Sequence, residues 1–217
     1  MLEHYQPPTE PYLRIIYQDD AIVILDKPNG LLTVPGRLPE HQDSLELRVK
    51  RVFPTARIVH RLDMATSGIV LMALTAEAQK HLNLQFEKRV PRKHYIARVE
   101  GVMPAQRGHI ELPLRCDWPN RPKQMVCFEH GKHALTRFEV LERETNATRV
   151  QLKPITGRSH QLRVHMQWLG HPILGDKFYA SAAGLKAAPR LQLHAAWLSF
   201  RHPTHQEWVE FSCPCPF

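Results

Sequence analysis

Apolar positions in this chain fall mostly into short runs broken by turn residues, and only a few stretches keep helical spacing. Leu13 to Gln18 and Ala21 to Asp26 read as two short strands around Asp19-Asp20, the second closed by the turn Lys27-Pro28-Asn29-Gly30. Ser44 is placed to cap a helix running to about Phe53, with Leu45, Val49 and Val52 on one face and Arg48, Lys50 and Arg51 toward solvent. Gly68 to Leu74 is an unbroken apolar run, as expected of a strand buried on both faces. Thr75 opens a second helix to about Lys88, in which Leu82, Gln85 and Phe86 approximate helical spacing. Further strands are predicted at Tyr95 to Glu100, Ala134 to Leu141, Arg149 to Pro154 and Leu191 to Phe200. Between the last two lies a helix opened by Ser159 and ended at Gly170, with Leu162, Met166 and Leu169 as its buried face. The proline-rich stretch from Gly101 to Pro122 reads as a connection between halves of one sheet. The pattern is α+β and dominated by strands, with no repeat, low-complexity tract or long linker.

Composition bounds this picture without changing it. At 217 residues and 43% hydrophobic content, the chain can build one sizeable core, as one domain or two intimate subdomains. The net charge of +8 favours a polyanionic partner, although an ordinary basic enzyme would carry the same charge. Cys116, Cys127, Cys213 and Cys215 lack paired C-x-x-C spacing, so neither a zinc ribbon nor a disulfide framework is expected. The histidines form no H-E-x-x-H, and His130-x-x-His133 flanks a glycine turn, so no metal site is expected either. The segment Met1 to Pro8 has no basic stretch leading into an apolar one, and no apolar run approaches the length of a membrane span, which points to the cytoplasm.

The candidate chemistry lies in His60-Arg61-Leu62-Asp63-Met64-Ala65-Thr66-Ser67-Gly68, where a carboxylate and a basic pair immediately precede the buried strand. Thr66, Ser67 and Gly68 suit a tight turn, and a loop residue held by a rigid strand is a common place for catalysis. Taken alone, the Arg-x-Asp pair is better explained by a turn cap with a surface cation. Two other segments alter that balance, Lys93-His94-Tyr95 at the head of a strand and Gly157-Arg158-Ser159-His160-Gln161-Leu162-Arg163-Val164-His165. Together the three resemble the aspartate, tyrosine and arginine motifs of the RluA-type pseudouridine synthases. The resemblance continues through Asp26-Lys27-Pro28, Trp118-Pro119-Asn120-Arg121-Pro122-Lys123 and Gly175-Asp176, from about Tyr12 to Cys213.

That resemblance implies a pseudouridine synthase catalytic fold, a mixed and largely antiparallel central sheet flanked by helices and loops with a cleft across it. It implies a single catalytic domain over residues 1–217 of two intimate subdomains, without an appended N-terminal RNA-binding module, since only about a dozen residues precede the first strand. The similar branch acts on ribosomal RNA of the large subunit and on a tRNA anticodon loop, so both RNAs are expected partners. No cofactor, no obligate protein partner, no membrane and a monomeric enzyme complete the expectation.

Isomerising uridine breaks the N-glycosidic bond, turns the base and rejoins it through carbon, without net redox change. The task needs a carboxylate, a cation that stabilises its ionised form, and a group to handle the proton on C5. By resemblance Asp63 is the carboxylate, either attacking the ribose or abstracting a sugar proton to give a glycal, and Arg163 is the cation reaching toward it. Tyr95 offers a ring face for uracil and a hydroxyl for the C5 proton. Arg61 would occupy the space vacated by a flipped uridine, since a planar cation can stack on bases and pair with phosphate. His60, Arg92, Lys93, Trp118, Arg121, Lys123, Arg158 and His160 are the expected further RNA contacts, cations and aromatics suited to a phosphate track with stacking. A kinase reading of His60 to Asp63 fails for want of a Gly-rich loop and an Asp-Phe-Gly. A noncatalytic RNA-binding protein would not require Asp63, Tyr95 and Arg163 together, and an N-glycosylase would release free uracil.

Overall fold

The computed structural model describes residues 5–217, so Met1 to His4 of the N-terminal segment lie outside the described residues. In chain order the elements are β1 (Ile15–Gln18), β2 (Ile22–Lys27), α1 (Leu45–Val52), β3 (Arg57–Ile58), β4 (Ser67–Ala73), α2 (Ala76–Glu87), β5 (Arg92–Glu100), β6 (Arg107–Glu111), β7 (Leu114–Cys116), β8 (Gln124–Val126), β9 (Leu135–Arg143), β10 (Ala147–Pro154), α3 (Gln161–Trp168), α4 (Ala182–Lys186), β11 (Leu193–Arg201) and β12 (Trp208–Ser212). They form two compact units: the chain up to Arg92 with Ala195–Pro216, and Lys93–His194 with Phe217. The fold is α+β, with the predicted strands in place and strand pairings that are largely antiparallel. Among the described residues no helix is long and apolar enough to cross a membrane.

In the first unit β1, β2, β4 and β11 lie side by side, with β12 on β11 and β3 on β4. The apolar run read as a strand buried on both faces is β4, every residue of which is buried. Alternate residues of its length and of β2 (Ile69, Leu71, Ala73, Ile22, Ile24) share a core with Ala78 and Leu82 of α2 and with Leu198 and Phe200. Ser44 and Thr75 cap α1 and α2 as expected, each side chain accepting an N–H from three residues on, Leu47 and Ala78.

The face of α1 differs from its hydrophobic pattern. Val52 at the last turn is 55% exposed, whereas Arg48 is fully buried. Arg48 is buried because every side of its guanidinium has a partner: Nε and Nη2 donate to Asp43 at 2.8 and 2.6 Å, and Nη1 donates to the carbonyls of Pro8 and Tyr12. Its plane also lies over the Tyr12 ring at 4.7 Å. Arg48 thus ties the N-terminal segment to α1, a role that a solvent-facing reading could not assign.

In the second unit β5, β10, β9 and β6 follow one another antiparallel, with Ala147 to Leu152 registered against Glu100 to Tyr95. The strand β9 alternates strictly, Thr136, Phe138 and Val140 in and Arg137 and Glu139 out. The stretch read as a mere connection contains two strands, β6 and β7, and β7 pairs with β8 as a separate ribbon. Their shortness and flanking prolines hid them. The helix α3 starts at Gln161 rather than at Ser159, because His160 stands in the left-handed region (φ 52) and no side chain caps it. Its end is as expected: Gly170 (φ 85) donates to Gln167 O and His171 donates to Met166 O, the paired bonds of a Schellman close. Leu162 and Met166 are buried, but Leu169, at the cap, is exposed.

Candidate active site

Asp63 lies half-buried in the first unit, on the loop that leads into β4. The loop is pinned on both sides of it by the segment 27–33. Leu62 exchanges two bonds with the Thr33 hydroxyl, its carbonyl accepting at 2.7 Å and its N–H donating at 3.2 Å. Met64 O accepts from Gly30 N at 2.9 Å and from Lys27 Nζ at 3.0 Å, and the Asn29 amide donates to Ala65 O. Thr66 N closes the turn onto Asp63 O at 3.0 Å. The fully buried Lys27 spends its other donors on the carbonyls of Pro28 and Leu31. Lys27, Asn29 and Thr33 were missed as positioning residues, although Asp26-Lys27-Pro28 and the Asn-Gly turn were visible as motifs.

Gly68, the last residue of the aspartate motif, has φ 110, and a Cβ built there would stand 2.3 Å from Ala195 O. Neither the backbone angle nor the space admits a side chain. His60 is half-buried and supports the loop: its ring stacks on Phe86 at 4.9 Å, and its Nε2 accepts the N–H of Leu71 in β4 at 3.0 Å. That geometry makes it a brace for the strand. Arg61 is the opposite case. It is exposed, and among the described residues no hydrogen bond, ion pair or ring contact holds its guanidinium.

Tyr95 and Arg163 belong to the second unit. Tyr95 is half-buried on β5, registered against Leu152 of β10. Lys93 on the same strand lies close to the arginine motif, 3.7 Å from where a Cβ on Gly157 would stand, and burial pulls its ammonium below the ordinary lysine value.

Arg163 is buried in α3. Within its own unit one partner is Asp176: Nε and Nη2 each donate at 2.7 Å to the two carboxylate oxygens, the fork geometry that only arginine provides. The carbon of the guanidinium lies over the rings of Phe178 and Tyr179 at 5.2 and 5.1 Å. Asp176 Oδ1 also accepts from Phe178 N at 2.9 Å, which fixes the turn that carries those rings. Gly175-Asp176 was visible in sequence as part of the resemblance, but its role was not.

The rest of the arginine motif is a buried polar network. Gln161 accepts from Thr156 Oγ1 and Arg158 N through its Oε1, and donates to Leu135 O and Thr136 Oγ1 through its Nε2. His165 is fully buried, with Nε2 on Leu112 O at 3.2 Å and Nδ1 on Thr136 Oγ1 at 2.9 Å, and burial pushes its imidazole below the ordinary value. Arg158 donates through Nε to His133 O, and His160 shares a 2.7 Å hydrogen bond with the Tyr179 hydroxyl. That hydroxyl also accepts Gln124 N at 2.8 Å, so His160 and the Lys123 strand end are linked through one tyrosine.

The remaining expected contacts stay on the surface. Trp118 and Arg121 are both exposed, the guanidinium 3.4 Å from the indole centroid, on a loop that Lys123 closes by its backbone bonds to Asp117 and Asn120. Arg92 is exposed and stacks on Trp208 of the first unit at 5.1 Å. Among the described residues no cluster of His, Cys, Asp or Glu could hold a metal ion. The first unit presents a carboxylate on a braced loop beside an exposed arginine, and the second unit a tyrosine and a buried guanidinium forked onto a carboxylate.

A family model described as RNA pseudouridylate synthase matches residues 21–168. The dual-specificity RNA pseudouridine synthase RluA of Escherichia coli O157:H7 is 56% identical over 217 residues, covering 100% of this chain and 99% of that protein. The protein of the same name from Pasteurella multocida is 55% identical over 98% of both chains. Among solved structures, human RNA pseudouridylate synthase domain containing 1 superposes with a TM-score of 0.82 at 32% identity, over 98% of this chain and 87% of that one. This chain belongs to the RNA pseudouridylate synthase family.

Proposed function

We propose that this protein isomerises specific uridines to pseudouridine in structured RNA loops, one in large-subunit ribosomal RNA and one in the anticodon arm of a tRNA. The observation that carries the reading is full-length similarity to enzymes named for that dual specificity, joined to a carboxylate loop braced on both sides of Asp63. In this reading the N1–C1′ bond breaks, the base turns, a C5–C1′ bond forms, and the proton lost from C5 is balanced by one gained at N1. Asp63 is the carboxylate that acts on the sugar, Tyr95 stacks on the uracil and relays the C5 proton, and Arg163 supplies the cation, held in orientation by Asp176. Arg61, exposed and without a hydrogen bond or ion pair among the described residues, fills the place of the extruded uridine. His60, Arg92, Lys93, Trp118, Arg121, Lys123, Arg158 and His160 contact the RNA around it. The enzyme works in the cytoplasm as a monomer, as a single catalytic domain of two subdomains, without cofactor, metal or protein partner.

The test is pseudouridine mapping across cellular RNA in a strain lacking the protein, complemented by the wild type or by Asp63→Asn. Loss of one ribosomal and one tRNA site, restored by the wild type alone, is the expected result. Restoration by Asp63→Asn, with the substitution verified by mass, would remove Asp63 from the chemistry. Loss at a single site would reduce the dual specificity to one RNA class.

A further inference from the structure

Outside the motif residues, the first unit carries a cation and aromatic cluster at the loop end of the β11–β12 hairpin. Arg201 and Trp208 are a cross-strand pair there. The guanidinium carbons of Arg201 and Arg92 lie 5.2 and 5.1 Å from the Trp208 ring centroid, and the indole is 44% exposed. Both arginines are exposed, and among the described residues neither forms an ion pair. Glu207, adjacent in sequence, is directed to His205 at 3.7 Å.

The hairpin that presents this cluster is held firmly. Gln85 of α2, itself buried, donates to Arg201 O at 2.6 Å and accepts Arg201 N at 3.0 Å. His81 bonds Gln206 at 3.0 Å, and His202 bonds Asp19 at 2.9 Å while stacking on His205 at 3.9 Å. Arg201 Nη1 donates to Gln206 O at 3.1 Å, which sets the direction of the guanidinium. Two like charges have been brought to one indole on a braced backbone, and among the described residues no carboxylate pairs with either. A guanidinium lying on an aromatic face keeps its N–H edge for an anion, and bidentate pairing with phosphate is the strongest use of that edge.

We propose that Arg92, Trp208 and Arg201 form a phosphodiester-binding platform for an RNA segment flanking the target loop, the arginines taking phosphate oxygens and the indole edge stacking against a sugar or base. The inference rests on the RNA-modifying reading above. RNA is favoured over an acidic polypeptide because the cluster combines planar cations with an exposed aromatic, and because Arg92 immediately precedes Lys93-His94-Tyr95 in the chain.

The experiment is equilibrium binding of an unmodified tRNA transcript, measured as a function of salt, for the wild type, Arg201→Gln, Arg201→Lys and Trp208→Ala. Gln85 holds the backbone of Arg201, so a side-chain replacement leaves those bonds intact, and thermal unfolding verifies each variant. Arg201→Gln should weaken binding about five- to tenfold and lower the slope of log K against log salt by about one, as expected for loss of a phosphate contact. Arg201→Lys should keep the slope, and Trp208→Ala should weaken binding because the cations lose their stage. Folded Arg201→Gln and Trp208→Ala variants with wild-type affinity and slope would overturn the platform. So would binding of polyglutamate at this site in preference to RNA. A wild-type protein that binds RNA yet makes no pseudouridine would defeat the isomerase reading instead, and the salt slopes would still decide the platform.

Discussion

Arg163 holds Asp176 through two parallel N–H bonds, and lysine at that position could make only one at a time. Arg163→Lys should therefore keep the fold but lose about a hundredfold in single-turnover rate on a saturating stem-loop, the scale on which a misplaced catalytic group costs rate. A lysine variant with wild-type turnover would assign Arg163 to stability alone. Lys27 presents a different case, because its buried ammonium satisfies the carbonyls of Pro28, Leu31 and Met64 at once. Replacing it by methionine removes the ammonium from all three carbonyls and leaves Met64 O only its bond from Gly30 N, at a cost of about 2–4 kcal/mol. Since one of them adjoins Asp63, the surviving folded protein should also show a lower kcat with little change in KM. Denaturant unfolding and steady-state kinetics on the same preparation separate the two effects.

At the scale of elements, β4 is the member on which the first unit and its loop depend. It is buried throughout and enters the sheet through Gly68, whose missing side chain lets it lie against the backbone of Ala195. Gly68→Ala brings a Cβ to 2.3 Å from a carbonyl oxygen that is part of the backbone and cannot swing aside, at a φ of 110 that alanine disfavours. Strain and overpacking each cost about 1–3 kcal/mol, so a loss of about 3 kcal/mol or more is expected by urea denaturation. A smaller loss would mean that β4 and its neighbour move apart easily. The helix α3 is built on the same principle with polar groups, since Gln161 and His165 knit it to Leu135, Thr136 and Leu112 rather than packing as plain apolar residues.

Stability of the whole molecule should fall toward acid in two stages. Burial holds the His165 imidazole below its ordinary value of 6.5, so the unfolded chain binds that proton more readily than the folded one. The contribution of neutral His165 is fully present above 6.5 and is lost as pH falls through its lower folded value. Hydrogen bonds from Arg48 likewise hold Asp43 below the ordinary carboxylate value of 3.8, a contribution present above that value and lost at still lower pH. Unfolding free energy measured from pH 8 to 2 should be flat at first and then decline, first through His165 and below 3.8 through Asp43. His165→Gln should flatten the first decline, and an unchanged profile in that variant would show that other groups set it. Much of this molecule was determined by sequence. Period-two and continuous apolar runs fixed the principal strands, because alternation and burial are local demands on each strand, and Ser44 and Thr75 marked helix starts because capping is a local bond. The three motifs carried the family, since chemistry needs those residue types at fixed places. Tertiary structure alone decided where polar side chains end up. Nothing in the pattern of α1 distinguishes Arg48 from its exposed neighbours until Asp43, Pro8, Tyr12 and the helix are folded together. Nor does the sequence show that Asp176 forks Arg163, that Lys27 braces the Asp63 loop, or that Trp208 gathers two arginines. Those partners lie outside the element that carries the residue, and a hydrogen bond leaves no period in the sequence.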